Sequence, residues 1–130
     1  TEAIERPGAN QVVHLRRLME SRPFFERVPD QELIVSGQGE GRAHLRATRD
    51  REGRYAMIFF PDAAGPAAID LQPLAGDVRA WWYDTHMGQA YAAGELARAG
   101  THTFTPPLVW HDWVLVLDEA AQQFDAPGVG

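Results

Sequence analysis

Val78-Arg79-Ala80-Trp81-Trp82-Tyr83-Asp84-Thr85-His86-Met87-Gly88-Gln89-Ala90-Tyr91-Ala92-Ala93 reads as strand, turn, strand. Side chains alternate across a strand, so Trp82 shares a face with Val78 and Ala80, while Trp81 and Tyr83 share the opposite face with Arg79. The turn Asp84–Gly88 has the chemistry of a hairpin. Asp84 is placed to accept backbone N–H bonds inside it, and a glycine closes it.

The same grammar extends in both directions. Short β-prone runs broken roughly every ten residues by Gly, Pro and Asp predict strands at Leu33–Ser36, Ala43–Thr48, Tyr55–Phe60, Ala67–Leu71, Val78–Tyr83, Gln89–Ala93, Thr101–Thr105 and Trp113–Leu117. Asp50-Arg51-Glu52-Gly53 is a second hairpin turn. The uninterrupted Trp113-Val114-Leu115-Val116-Leu117 predicts a central strand buried on both faces. Only one helix is expected, from Asn10 as cap to about Ser21, because Val12, Leu15, Leu18 and Met19 recur at helical spacing and Pro23 follows. These elements predict an all-β fold: an immunoglobulin/fibronectin-like β-sandwich of about eight short antiparallel strands preceded by one N-terminal helix. The expected organisation is a connector helix and entry segment over 1–30, the sandwich over 31–119 and a tail over 120–130, with a helical turn through Ala120–Phe124.

Composition narrows the class. At 130 residues the chain is of single-domain size, and with no cysteine it must stand on an apolar core. It carries 18 acidic against 12 basic residues, and all the basic ones are arginine. A net charge of -6 argues against binding driven by a nucleic-acid backbone. No apolar run approaches the roughly 20 residues that span a bilayer, and no export leader opens the chain. A start at Thr1 without methionine is expected of an excised piece.

Motifs for catalysis are missing from the sequence. There is no thiol nucleophile and no Gly-x-Ser-x-Gly elbow, and Ser36–Gly41 is a glycine-rich loop without the helix a nucleotide site requires. His14, His44, His86, His102 and His111 are scattered, and His111 and Asp112 point to opposite faces if they lie on a strand, so neither a metal nor a cofactor is expected. The aspartates near strand ends, Asp70, Asp84, Asp112 and Asp118, are of the type used in glycoside hydrolysis but more commonly stabilise turns. Trp81, Tyr83 and Trp110 form a candidate binding platform for sugar rings or proline-rich chains, which pack on flat apolar rings with polar rims. The competing reading places Trp82 in the core and Trp81 beneath a loop or a neighbouring domain. Phe24 and Phe25 either anchor a junction or fill the core.

The series Leu18–Gln31, Ala47-Thr48-Arg49-Asp50, Tyr55–Pro61, Ala80-Trp81-Trp82-Tyr83-Asp84, Phe104-Thr105-Pro106-Pro107 and Asp112–Asp118 resembles the family labelled "putative collagen-binding domain of a collagenase" over about Val12 to Asp118. Two segments depart from its pattern. The hairpin reads Asp84-Thr85-His86-Met87-Gly88 in place of Asp-Pro-Arg-Thr-Gly, and Leu108-Val109-Trp110-His111 replaces a glycine-rich stretch. The resemblance implies the C-terminal accessory β-sandwich of a bacterial apiosidase-like (β/α)-barrel glycoside hydrolase, with the helix as connector. The chain itself is then no enzyme, since such a barrel needs about 250 residues and lies upstream. Expected partners are that barrel in the same polypeptide and collagen or polysaccharide, with secreted or periplasmic localisation. The alternative is an autonomous adhesive carbohydrate- or collagen-binding module.

Overall fold

The structure is a computed structural model that describes residues 7–23, 27–108 and 111–128. It is built of one helix, α1 (Pro7–Glu20), and nine strands: β1 (Arg27–Pro29), β2 (Ile34–Ser36), β3 (Arg46–Asp50), β4 (Tyr55–Phe60), β5 (Ala67–Asp70), β6 (Val78–Asp84), β7 (Gln89–Leu96), β8 (Thr101–Phe104) and β9 (Trp113–Glu119). All pairings are antiparallel. A six-stranded sheet runs in the order β1-β3-β4-β9-β6-β7 and faces a three-stranded sheet, β2-β5-β8. The expectation of an all-β sandwich with one N-terminal helix holds.

Central placement follows from composition. β9 lies between β4 and β6 and is buried from Trp113 to Asp118, as an apolar run without alternation requires. Register then sorts the two faces. One row, Ala47, Ile58, Leu115, Trp82 and Tyr91, lies on the inner face, and its first four members join Leu33, Ile69 and Phe104 in the core between the sheets. Phe60, Trp82 and Trp113 meet edge to face there, at 5.0 and 6.2 Å between ring centroids. Each fully buried aliphatic or aromatic side chain in this core contributes roughly 2 kcal/mol.

The outer face of the large sheet has its own, smaller core. Tyr55, Met57, Tyr83, Val114 and Val116 pack with Leu18 and Leu15 of α1 and with Phe124 of the tail. Here polar contacts fix the cover. Arg22, just past α1, makes a buried bidentate pair with Asp118 at 2.9 and 2.7 Å, donates to the Asp125 carbonyl at 2.8 Å and sits over the Phe124 ring. Burial pushes the Asp118 carboxyl up against the opposing pull of Arg22. Tyr55 donates its hydroxyl to the Pro23 carbonyl.

Several boundaries differ from the sequence expectation. The helix is already under way at Asn10, which is therefore not its cap. It opens at Pro7, where a missing N–H costs nothing. β1 was not expected. Its three residues end in proline, too short to show a period, and they survive at the sheet edge through pairing with β3. Ala43 belongs to a 3-10 turn over Gly41–Ala43, so β3 starts at Arg46. The tail forms a 3-10 turn at Ala120–Gln122 that ends in left-handed Gln123. Both hairpin glycines adopt the expected left-handed backbone, with φ of +77° at Gly53 and +68° at Gly88. Phe24 and Phe25 lie outside the described residues.

Candidate functional site

At one end of the large sheet the β6–β7 turn meets the residues that lead into β9. Asp84, the last residue of β6, is opposite Gln89 on one side and Trp113 on the other. Its Oδ1 accepts the backbone N–H of His86 at 2.8 Å and of Met87 at 3.1 Å, the turn role read from the sequence. The same oxygen lies 2.7 Å from His111 Nε2. Burial raises the Asp84 pKa, but His111 and the two amides outweigh it and hold the carboxyl below its ordinary value.

A second imidazole–carboxylate pair runs the other way. His86 from the turn reaches Asp112, with Nε2 to Oδ2 at 3.7 Å, and the His86 and His111 rings lie 4.6 Å apart. The adjacent residues His111 and Asp112 thus each find a partner in the facing turn. Among the described residues no group of three or more carboxylate and imidazole side chains is arranged to hold a metal ion. The cluster is also stitched to α1. Gln11 Nε2 donates to Asp112 Oδ2 at 2.8 Å and to Thr85 Oγ1 at 3.0 Å, while Thr85 donates to the Asp112 carbonyl at 3.1 Å. Any side chain at position 88 would strike the His14 ring of α1, so the glycine serves packing as well as the turn.

Aromatic surface continues from this cluster. His111 lies 5.1 Å from Trp113, and Tyr91 of edge strand β7 meets Trp113 edge-on at 6.2 Å. Trp113 donates its indole N–H to the Leu108 carbonyl, and Tyr91 donates its hydroxyl to Gln89. Trp113 is buried, whereas Tyr91 is 48% exposed and Leu108 and Met87 are more than half exposed, at 60% and 63%.

Two of the aromatic residues singled out in the sequence, Trp81 and Tyr83, fall elsewhere. Trp81 and Tyr83 do share the outer face, opposite Val116 and Val114. That face carries the smaller core: Trp81 is half-buried against it, and Tyr83 is fully buried, donating its hydroxyl to the His14 carbonyl at 2.8 Å. A ring so placed meets no ligand while α1 is seated. Burial also raises the Tyr83 pKa, and the phenol stays a donor. Trp110 lies outside the described residues. The sequence reading passed over Tyr91, whose place opposite Trp82 follows from counting outward through the turn.

A second surface feature lies beside α1. The helix turns Val12, Val13 and Met19 outward, and between it and β3–β4 runs an apolar groove of about 160 Å³, lined by Leu15, Met19, Met57, Phe59 and Val114 with Arg46 at its rim.

This architecture is found within larger solved proteins. A glycoside hydrolase family 5 structure from Bacteroides vulgatus ATCC 8482 superposes with a TM-score of 0.83 and 34% sequence identity over 92% of this chain. A structure described as a glycoside hydrolase gives 0.82 and 34% over the same share. The chain spans about a quarter of either protein, 26% and 27% of their lengths. No curated protein matches it. The strand series that makes both cores is also what the family model recognises, across residues 28–118, well over half of the sequence. The chain belongs to the family described as "Putative collagen-binding domain of a collagenase".

Proposed function

We propose that this chain is a non-catalytic accessory β-sandwich of a bacterial glycoside hydrolase-like polypeptide, supporting an upstream (β/α)-barrel and contributing to binding of polysaccharide or collagen. One observation carries the reading: the fold recurs over 92% of this chain inside glycoside hydrolases of which it makes up only 26–27%. The outward apolar residues of α1 and the groove beside them suit a packing surface for that barrel. The buried Asp84 carboxylate of the end cluster is spent on turn amides and His111, which supports a structural use. Secreted or periplasmic localisation goes with this reading, and among the described residues no helix is long and apolar enough to cross a membrane.

The test has two arms. The isolated chain should hydrolyse none of a panel of chromogenic glycosides, and Val12→Asp with Met19→Asp in the complete polypeptide should lower the thermal transition of the barrel while the isolated sandwich keeps its own. Turnover by the isolated chain, or a barrel indifferent to the double substitution, would count against the proposal. The adhesive alternative is favoured by a different feature, the exposed aromatic surface around Tyr91.

A further inference from the structure

The exposed large apolar side chains fall mainly into two groups. Val12, Val13 and Met19 belong to α1, whereas Met87 follows His86 in the β6–β7 turn and Tyr91 and Leu108 both meet Trp113, the neighbour of His111, at the end of the large sheet. Nothing among the described residues covers the second group. β7 is an edge strand bonded only to β6, and most of its side chains are exposed.

We infer that this second surface is a binding subsite for a neutral, hydroxyl-rich saccharide, with Tyr91 as the apolar floor and Gln89, His86 and Asp112 as its polar rim. The inference rests on the accessory-domain reading and assigns a place and a ligand class to its binding role. Three features select the ligand. An exposed phenol ring set edge-on to Trp113, whose own ring meets His111, offers the flat apolar area on which the C–H face of a pyranose packs. The rim provides an amide, an imidazole and a carboxylate, all partly or fully exposed, which together donate to and accept from vicinal hydroxyls. Charge decides the class. The one partly exposed acid of the surface is Asp112, Asp84 being buried and paired with His111, and no arginine is among the residues named, so uronic or sulfated sugars meet like charge and gain no cationic partner. The floor is also held in place: Trp113 under Tyr91 is fixed by its bond to Leu108, and the rim is fixed by the turn bonds of Asp84, so little ordering accompanies binding.

The experiment is an amide chemical-shift titration of this chain with cellohexaose, xylohexaose and mannohexaose, and with hexagalacturonate and a triple-helical collagen peptide as competitors in class. Saturable shifts at His86, Gln89, Tyr91 and His111 are expected with at least one neutral oligosaccharide at millimolar concentration, weakened about tenfold or more in Tyr91→Ala. Thermal melting establishes that the variant is folded; if it is not, the wild-type shift map decides alone. Val12→Asp should leave the titration unchanged, which separates this surface from the barrel-packing face. No shift with any neutral sugar, shifts confined to α1 or the groove, tighter binding of hexagalacturonate or collagen peptide, or undiminished binding by folded Tyr91→Ala would each overturn the inference, and none of these would touch the barrel-packing test.

Discussion

The two faces of the large sheet are covered in different ways. The inner face meets a second sheet through side chains that are almost all apolar, so its stability comes from non-directional burial. The outer face is covered by one helix and a short tail, whose apolar contact is smaller and is supplemented by directed bonds: Arg22 to Asp118, Tyr83 to the His14 carbonyl, Tyr55 to the Pro23 carbonyl and Gln11 to Asp112. The inner core makes the fold, while the outer core makes a docked surface whose position depends on a few polar atoms. Such a cover is suited to carrying an interface, because its outward side chains do not contribute to the core beneath.

The sharpest break of this contrast comes from the inner face. Trp82→Ala should cost about 3–5 kcal/mol, because the ring fills the junction of Phe60 and Trp113 and the site cannot collapse around a smaller residue. Urea denaturation should show a lowered midpoint with an unchanged slope, and α1 and the strands should lose protection together. A loss below about 1 kcal/mol would mean that this core is not the one that makes the fold.

On the outer face the expected result is different in kind. Arg22→Met should cost about 3 kcal/mol by leaving Asp118 buried without its cation, and Arg22→Met with Asp118→Leu should recover most of the loss. Hydrogen exchange should place the single variant's damage mainly at α1 and the tail. If the double variant is no better than the single, the pair does more than satisfy its own buried charges.

Acid gives the smallest and most graded effect. Arg54 holds Asp50 below its ordinary pKa through a hydrogen-bonded ion pair at 2.7 Å, and Asp84 is lowered despite its burial by His111 and the turn amides. For a lowered carboxylate the unfolded chain takes up the proton first. The stability these two groups contribute is therefore present above about pH 4 and is lost as pH falls through their folded values. Asp118 acts with the opposite sign: its raised pKa adds stability below its unfolded value, which is lost as pH rises through the folded one. Acid melts of Asp50→Asn and Asp84→Asn should be shallower than those of the unaltered chain, and an Asp118→Asn melt should be steeper. Identical slopes in all four would show that the three sites do not set the acid limb.

Much of this was legible in the residues. The unbroken apolar run at Trp113–Leu117 announced a strand buried on both faces, the period-two alternation from Val78 separated Trp82 from Trp81 and Tyr83, and Asp84 and Gly88 announced the turn and its bonds. Local stereochemistry is enough for such features, since each is decided within a few residues by side-chain alternation and backbone freedom. β1 was not legible, because three residues ending in proline carry no period and depend on β3 for their bonds. The start of α1 was misplaced by three residues because Asn10 has the right chemistry for a cap whether or not it is used as one.

What the sequence determined alone was the class of fold, the alternating faces of Val78–Tyr83 and the two glycine turns, all consequences of periods of two and of φ. Only the tertiary structure decided which of those faces stays open. Trp81 and Tyr83 were set on one face by alternation, but α1 and the tail then covered that face and left Tyr91 exposed at the sheet edge instead. The pairing of His86 with Asp112 and of His111 with Asp84 likewise joins residues some 26–27 positions apart, which no local pattern encodes. Burial of a face depends on what packs against it, and that is set by long-range contacts whose partners are distant in the chain.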